Sequence, residues 1–301
     1  MATVKALACE LPARRDEPLS RYSTAELARL VGDQPDAPPM SHSTIWRILD
    51  GDALQPWRLR SWLFPRDPAF AEKGGRVLDL YAGYWEGQRL QPDDCVMSAD
   101  EKTSIQARVR RHPTTPPLPG QPMRVEHEYA RGGALAYLAA WDVRRGGVLG
   151  RCEATTGKAP FGRLVDQVMQ QEPYRSAPRV CWLVDQGSSH RGDTAARELQ
   201  ARYPNLLLVH LPTHASWLNQ IERYFSIVQR KVLTPNDCPD LAAVEQRLLA
   251  FEALYNDTAR PFNWRFTRDD LTARLAHLQE APAPDPAVPE PVSAPAVLQA
   301  A

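Results

Sequence analysis

The sequence has 301 residues, with 36 lysines and arginines against 36 aspartates and glutamates, and therefore no net charge. Zero net charge counts against a protein that binds nucleic acid through overall basicity, although it says nothing about a local basic face. No apolar run reaches the roughly 18–20 residues of a membrane span, and no signal-peptide pattern opens the chain. The cysteines are scattered without a C-x-x-C pair, which favours reduced thiols in a cytoplasm over disulfides or a zinc cluster.

The first 54 residues predict a small all-α region. Helical patterns cover 3–12, 23–32 and 41–51, and the last two open with serine or threonine caps and end at a glycine. Three short helices suit a helix-turn-helix whose third helix enters a DNA groove, although any small helical bundle suits the same pattern. The candidate DNA contacts near the start of the third helix are Ser41, Ser43, Thr44 and Arg47.

Residues 55–92 are interpreted as a basic linker followed by a helix at about 68–86. Arginines are interspersed with aromatic residues in the linker, which adds Arg58 and Arg60 as candidate DNA contacts. At the other end of the chain, residues 281–301 are almost entirely alanine and proline. They predict a disordered tail, because they have too little apolar bulk to bury.

Residues 93–280 alternate strand and helix patterns. The predicted strands are 94–100, 134–142, 147–153, 179–185 and 206–210, and the predicted helices are 160–171, 191–202, 216–233 and 239–255. The second and third strands form a hairpin. An antiparallel hairpin followed by strand–helix alternation predicts an α/β domain with a mixed sheet flanked by helices.

Two of the predicted strands end on an aspartate. One apolar run ends at Asp100 and another ends at Asp185. In an open α/β sheet, the carboxyl ends of the strands line the crevice in which ligands usually bind. A third acid, Glu222, lies beside an apolar helical stripe, on a face that it shares with Asn219. Taken singly, each acid is more often structural than catalytic. A first-turn glutamate, for example, is favoured by the helix dipole alone.

Taken together, the three acids describe an anionic pocket with oxygen ligands only. Such a pocket is unfavourable unless cations neutralise it. Mg²⁺ and Mn²⁺ prefer carboxylate oxygens and keep positions open for water and phosphate. Two such ions about 4 Å apart can activate an attacking oxygen and stabilise a leaving one. The pattern therefore predicts metal-dependent phosphodiester chemistry.

Three segments resemble the catalytic blocks of the DDE transposases of bacterial insertion sequences, in the Tc/mariner-type branch. These segments are "SADEKTSIQA", "VDQGSSH" and "LPTHASWLNQIERYFSIVQRKVL", and 36 residues lie between Asp185 and Glu222, an interval that fits the family. The similarity extends to "SHSTIWRIL" and "YNDTARPFNWRFT". It implies a ribonuclease-H-like domain in which Asp100, Asp185 and Glu222 hold two divalent metal ions. The first aspartate would bridge both ions, and each of the other acids would complete one shell.

The activity implied by the resemblance is hydrolysis at the ends of the element, followed by attack of the 3′-hydroxyl on target DNA at a TA step. No covalent enzyme intermediate is needed. The implied partners are double-stranded DNA, both terminal inverted repeats and target, and a second copy of the chain. The implied location is the bacterial cytoplasm, in association with the nucleoid.

The sequence departs from the family pattern at two places. Gln186 follows the second aspartate where the family usually has asparagine, and its amide reaches one methylene further. Met1 falls at the first helix of what would be the second of two helix-turn-helix units, which predicts a truncated chain or a misassigned start. His190 matches a family histidine. It either contacts the scissile strand, supports Asp185, or caps the following helix.

Other functions fit less well. The main alternative is a weakened or inactive copy that binds element ends as a repressor, and the three intact acids argue against it. A different ribonuclease-H-like nuclease is disfavoured by the helix-turn-helix, and a serine hydrolase by the absence of a G-x-S-x-G turn. Purely structural acids remain the simplest alternative. Trp217 and Trp264 are interpreted as core residues rather than as DNA-stacking ones.

Overall fold

The computed structural model describes residues 1–59, 65–185 and 193–279. The chain divides into two compact units between Leu63 and Phe64, and each has its own hydrophobic core. Within the described residues, no helix is both long enough and apolar enough to cross a membrane.

The N-terminal unit packs three short helices around an apolar centre. They are α1 (Ala2–Ala8), α2 (Thr24–Gly32) and α3 (His42–Gly51), with a 3₁₀ turn at Pro12–Arg15. Leu27, Ile45 and Leu49 are fully buried between them. Residues 33–41 connect α2 to α3 and form a longer link than the three- or four-residue turn of the simplest helix-turn-helix motifs.

The C-terminal unit contains the mixed sheet that the sequence predicts. Its strands are β3 (Cys95–Val109), β4 (Ala130–Asp142), β5 (Val148–Glu153), β6 (Val180–Val184) and β7 (Leu206–His210), after a small hairpin of β1 (Tyr84–Trp85) and β2 (Gln88–Arg89). The five strands lie in the order β5-β4-β3-β6-β7. The β3–β4 and β4–β5 pairs are antiparallel, whereas β3–β6 and β6–β7 are parallel.

Helices cover both faces of this sheet. They are α4 (Phe70–Tyr81), α5 (Lys158–Met169), α6 (Asp193–Arg202), α7 (Ile221–Lys231), α8 (Leu241–Asn256) and α9 (Arg268–Gln279). On one face, which we call the α7 face, Val96 and Leu183 pack with residues of α4, α7, α8 and α9. On the other, the α5 face, Met97 and Trp182 pack with residues of α5 and α6. The alternation of side chains along each strand separates the two cores.

The predicted end of the first strand is wrong. β3 does not stop at Asp100 but continues to Val109, and Asp100 pairs with Ala139 of β4 in the middle of the strand. The pairing of β3 with β6, in contrast, ends at Ser98. Asp100 is therefore at a strand end only with respect to its parallel neighbour, because the antiparallel partner continues to hydrogen-bond beyond it.

Two helix predictions also differ from the structure. The helix predicted at 68–86 ends at Tyr81, because Gly83 (φ 86°) and Gly87 (φ 77°) turn the chain into the β1–β2 hairpin. The helix predicted at 216–233 begins as a separate 3₁₀ turn, Ser216–Leu218, and α7 starts only at Ile221. The helix α9 was not predicted from the sequence.

Side chains complete the hydrogen bonds of the edge strand β5. The Asn256 side chain accepts from the Val148 N–H (2.8 Å) and donates to its carbonyl (2.7 Å). Gln167 Nε2 donates to the carbonyl of Gly150 (3.0 Å). These amides, from the end of α8 and from α5, satisfy backbone groups that a further strand would otherwise pair with.

Candidate active site

Asp100 and Asp185 occupy matching positions on two neighbouring parallel strands. Ser98 pairs with Leu183, and each aspartate lies two residues further along its chain. Because side chains alternate, Asp100 lies on the same face as Ser98, which is the α7 face. Asp185 directly follows the last residue of β6, at the carboxyl edge where open α/β sheets bind ligands.

Glu222 lies in the first turn of α7, and the start of this helix is fixed to β3. The N–H of Ile221 donates to Ser98 Oγ (2.9 Å). The predicted apolar stripe is buried against the sheet and comprises Leu218, Ile221, Phe225, Val228 and Val232. Glu222, next to this stripe, reaches the solvent-exposed side of the helix. Packing of the stripe thus determines where the Glu222 carboxylate lies.

Asn219 connects the α7 region to Asp100. Its buried side-chain amide donates from Nδ2 to the Ala99 carbonyl (3.1 Å) and to Asp100 Oδ2 (3.2 Å). Ser98 Oγ donates to Asn219 Oδ1. The other oxygen of Asp100, Oδ1, accepts from the Glu101 N–H (2.8 Å). Both oxygens of the Asp100 carboxylate therefore have a donor that holds their orientation.

Burial and like charge raise the pKa values at this site. Burial is the main cause that raises the pKa of Asp100 to about 7, and the carboxylates of Asp185 and Glu222 raise it further. The pKa of Glu222 is raised chiefly by its partial burial and also by Asp185, while the Lys102 ammonium lowers it. The three acids thus interact, and the fully ionised cluster is disfavoured without a compensating cation.

The donor set fits a divalent metal ion. It consists of hard carboxylate oxygens, which Mg²⁺ and Mn²⁺ prefer, and a cation would relieve the repulsion that raises the pKa of Asp100. In the part of the chain that the structure describes, however, no three Asp, Glu, His or Cys side chains lie close enough to form a ready metal site. The three acids are neighbours, but their carboxylates would have to move closer to one another to form a complete set of metal ligands.

Two residues of this region were not singled out from the sequence. Ser98 is two positions before Asp100 and on the same face of the predicted strand, so side-chain alternation could have pointed to it. The Tyr81 hydroxyl donates to the Leu218 carbonyl (2.7 Å), 137 residues away along the chain. No local sequence signal indicates such a contact.

The candidate DNA contacts of the N-terminal unit lie together on α3. Ser41 caps the helix, since its Oγ accepts from the Thr44 N–H (3.2 Å). Arg47 Nη2 donates to Thr44 Oγ1 (3.4 Å), and Ser43 and Arg47 are exposed. Arg58 is also exposed, beyond α3. Three further candidates lie outside the described residues, namely Arg60, Gln186 and His190.

The interpretation of both tryptophans as core residues is wrong for Trp217. Trp264 is partly buried against the α7-face core and donates its indole N–H to the Phe266 carbonyl (2.9 Å). Trp217, in contrast, is 43% exposed. Trp217 belongs to the 3₁₀ turn that precedes α7.

Comparison with known proteins identifies the fold and the domain. Residues 96–245 match the model of the DDE superfamily endonucleases. The Mos1 mariner paired end complex with Mn is 17% identical with a TM-score of 0.57, over 90% of this chain and 78% of that one. The pre-cleavage Mos1 transpososome is 15% identical with a TM-score of 0.56, over 92% and 78%.

The Mos1 paired end complex with Mg is 14% identical with a TM-score of 0.54, over 91% of this chain and 77% of that one. Among curated proteins, no sequence matches. At these identities a likeness to solved structures establishes the shared fold, and the family model adds the endonuclease domain. The predicted endonuclease domain and its fold are confirmed: residues 96–245 form a DDE superfamily endonuclease domain, and the chain shares the ribonuclease-H-like fold of the Mos1 mariner structures.

Proposed function

We propose that this protein is a transposase that cleaves DNA at the ends of its element and joins the resulting 3′-hydroxyl to target DNA at a TA step. The observation that carries the proposal is the shared register of Asp100 and Asp185 on β3 and β6, with Glu222 held beside them by the packing of α7. This arrangement supports catalytic roles for all three acids.

Asp100, Asp185 and Glu222 would hold Mg²⁺ or Mn²⁺, two ions in the bound state. The structures with a similar fold include Mos1 complexes with Mn and with Mg, which supports the choice of metal. When bound, the metal supplies positive charge that makes a water or hydroxyl oxygen nucleophilic and stabilises the leaving oxygen. The proposed metal requirement also accounts for a cluster that is unfavourable as bare anions.

The surrounding residues keep the acids in place. Asn219 donates to Asp100 Oδ2 and the Glu101 N–H to Oδ1, so the carboxylate cannot rotate freely. Ser98 binds both Asn219 and the first amide of α7, and it thereby couples β3 to the helix of Glu222. Preorganisation of this kind reduces the reorganisation needed when the scissile phosphate arrives.

The proposed partners follow from the same assignment. The exposed side chains of Ser43 and Arg47 on α3 would contact double-stranded DNA at the terminal repeats, with Arg58 contributing beyond the helix. A second copy of the chain would be required to join two ends, and two of the similar structures are paired end complexes of Mos1. We place the protein on the bacterial nucleoid.

The test is cleavage of supercoiled DNA that carries the flanking element ends. Wild-type protein, Glu222→Gln and a matched control, Glu198→Gln, would be compared with Mg²⁺, with Mn²⁺ and with a chelator. Glu198 is an exposed acid on α6. Metal-dependent nicking that survives in the control and vanishes in Glu222→Gln supports the proposal. Binding to the ends without cleavage by any protein would instead identify an inactive copy that acts as a repressor.

A further inference from the structure

Trp217 is a large exposed aromatic residue two positions before Asn219, the residue that contacts Asp100. Its side chain is 43% exposed, and it belongs to the 3₁₀ turn that precedes α7. Only one residue separates it from Asn219, a span of at most about 7 Å between Cα atoms. Asn219 in turn contacts Asp100 directly (3.2 Å). The backbone of Trp217 is therefore close to the candidate active site.

The exposed indole is held in a defined position by a neighbouring ring. Trp217 meets Phe266 edge-on, with ring centroids 5.4 Å apart and planes at 77°. The guanidinium of Arg274 lies 5.3 Å from the centre of the same Phe266 ring. An edge-to-face contact of this kind restricts how the Trp217 ring can turn, while 43% of the side chain stays exposed.

Aromatic and basic side chains continue along the adjoining segment. Phe262, Trp264 and Phe266 are partly buried, whereas the exposed Arg265 lies between the last two. Arg223, the residue after Glu222, lies 5.2 Å from the ring centre of Trp264. Arginines interspersed with aromatic rings are typical of surfaces that bind a nucleic-acid strand, because the cations attract phosphates and the rings stack on bases.

Trp264, in the same region, has the contacts of a tryptophan with a structural role and can be compared with Trp217. Its indole N–H has an acceptor at 2.9 Å, and its ring packs against Tyr81 at 5.2 Å. Trp217 contributes less to the core, since nearly half of its surface remains in water. An indole that stays exposed keeps apolar surface in water, which is unfavourable. A smaller polar residue at this position would expose less apolar surface.

We propose that Trp217 is a positioning residue that stacks on an unpaired base of the DNA strand entering the active site. The proposal rests on the proposed DNA cleavage, because it needs a strand whose phosphate reaches Asp100. An unpaired base is required, since a base inside a duplex is already stacked on both faces and offers no free surface to an indole. Stacking there would fix the position of the neighbouring phosphate against the three acids.

The experiment measures preference for unpaired DNA separately from cleavage. The full-length protein would carry Glu222→Gln in every sample, so that no DNA is cut. The probes are a short fluorescein-labelled duplex from the flanking element end and the same duplex with its end mismatched to form a fork. Affinity for each is measured by anisotropy for the parent and for Trp217→Ala, Trp217→Leu, Trp217→Phe and Trp264→Phe.

We expect the parent to bind the fork more tightly than the paired duplex. In Trp217→Ala and Trp217→Leu, the ratio of the affinity for the fork to the affinity for the paired duplex should fall at least about fivefold. The affinity for the paired duplex itself should stay within about twofold. Trp217→Phe should keep most of it, because a flat ring is retained, and Trp264→Phe should keep it as well. Base stacking would also quench a 2-aminopurine placed in the fork, except in the alanine and leucine variants.

Three outcomes would overturn the inference: a parent protein without preference for the fork, an alanine variant that retains it, or a leucine variant as effective as phenylalanine. The last would mean that Trp217 provides only apolar bulk. None of these outcomes bears on the proposed cleavage. That proposal is tested separately, by metal-dependent nicking with the protein that has Glu222. Thermal unfolding monitored by circular dichroism verifies that each variant is folded.

Discussion

The two faces of the sheet are built from the same strands but to different rules. On the α5 face, Cys95, Met97 and Ala99 of β3 are all apolar and completely buried. On the α7 face, the alternate residues change from the apolar Val96 to Ser98 and then to Asp100. Within five residues, one strand contributes a uniform core to one side and a polar site to the other.

The difference shows how a polar site can be placed against a hydrophobic core. A buried polar group is tolerated when it has a hydrogen-bond partner, and the Ser98 and Asn219 side chains beside Asp100 have one. Ser98 bonds to both Asn219 and the Ile221 N–H. The α5 face has no such requirement, so it can maximise apolar packing. We infer that the α5 face contributes mainly to the stability of the fold and that the α7 face mainly holds the acids in position.

The largest effect expected is on catalysis, from Asp100→Asn on the α7 face. Cleavage should fall at least about a hundredfold, because a neutral amide is a poor ligand for Mg²⁺. Unfolding by urea should show no loss of stability, since the substitution removes a charge that burial disfavours. The matched control is Asp166→Asn on α5, an acid paired with Arg202 (2.6 Å), which should leave cleavage unchanged. Full cleavage by Asp100→Asn would refute a catalytic role.

The second effect is on stability, from Leu164→Ala on the α5 face. Leu164 is fully buried, and its truncation should lower the free energy of unfolding by about 2–5 kcal/mol. Cleavage at low temperature should stay within about twofold. Val228→Ala, the comparison on α7, also creates a cavity but should reduce cleavage as well, since it loosens the helix of Glu222. Equal effects of the two variants on cleavage would remove the distinction between the faces.

A smaller effect is expected from Asn219→Ala. It removes the donor to Asp100 Oδ2 and leaves Ser98 Oγ without that partner. Cleavage should fall about tenfold, within the range for a hydrogen bond to a charged group, and more Mg²⁺ should be needed for half-maximal rate. Asn205→Ala is the control, because this amide also makes two backbone contacts, to Tyr174 and Ala177, away from the acids. An unchanged Mg²⁺ requirement would contradict the positioning role.

The smallest effect concerns pH, at Glu153 on the edge strand β5. Hydrogen bonds from Arg163, and also from Arg151, lower the pKa of Glu153 to about 2. The folded pKa is below the unfolded one, so the stabilisation is complete above about pH 4.5 and is lost as the pH falls towards 2. Glu153→Gln should lose about 1–2 kcal/mol at pH 7, a modest value because Arg163 is half exposed. Urea unfolding at several pH values measures the difference in the free energy of unfolding between wild type and Glu153→Gln. If that difference does not shrink in acid, the ion pair is not its cause.

Much of this architecture could be read from the sequence because the relevant signals are local. Strands β3 and β6 are buried on both faces where they approach Asp100 and Asp185, and nearly all the residues there are apolar. The helical stripe before and after Glu222 is buried as its period predicts. Each of these signals spans fewer than about fifteen residues, within which propensity and periodicity are informative.

What could not be predicted depends on partners far along the chain. β3 continues past Asp100 only because β4 accompanies it, and β4 begins some twenty residues after β3 ends. The contact of Tyr81 with the turn before α7 joins residues 137 apart. The exposure of Trp217 depends on a change from 3₁₀ turn to α-helix between Leu218 and Ile221. The helix predicted at 216–233 includes this residue, whereas the structure places it in the turn before α7.

The capping of β5 by Asn256 has a consequence for the order of events during synthesis. Val148 leaves the ribosome 108 residues before the asparagine that satisfies its backbone groups. During that interval the edge of the nascent sheet is open, and an open edge is where strands of different chains begin to pair. Slow translation between β5 and α8 would prolong this exposure, so codon choice in that region should influence how much of the newly made protein aggregates.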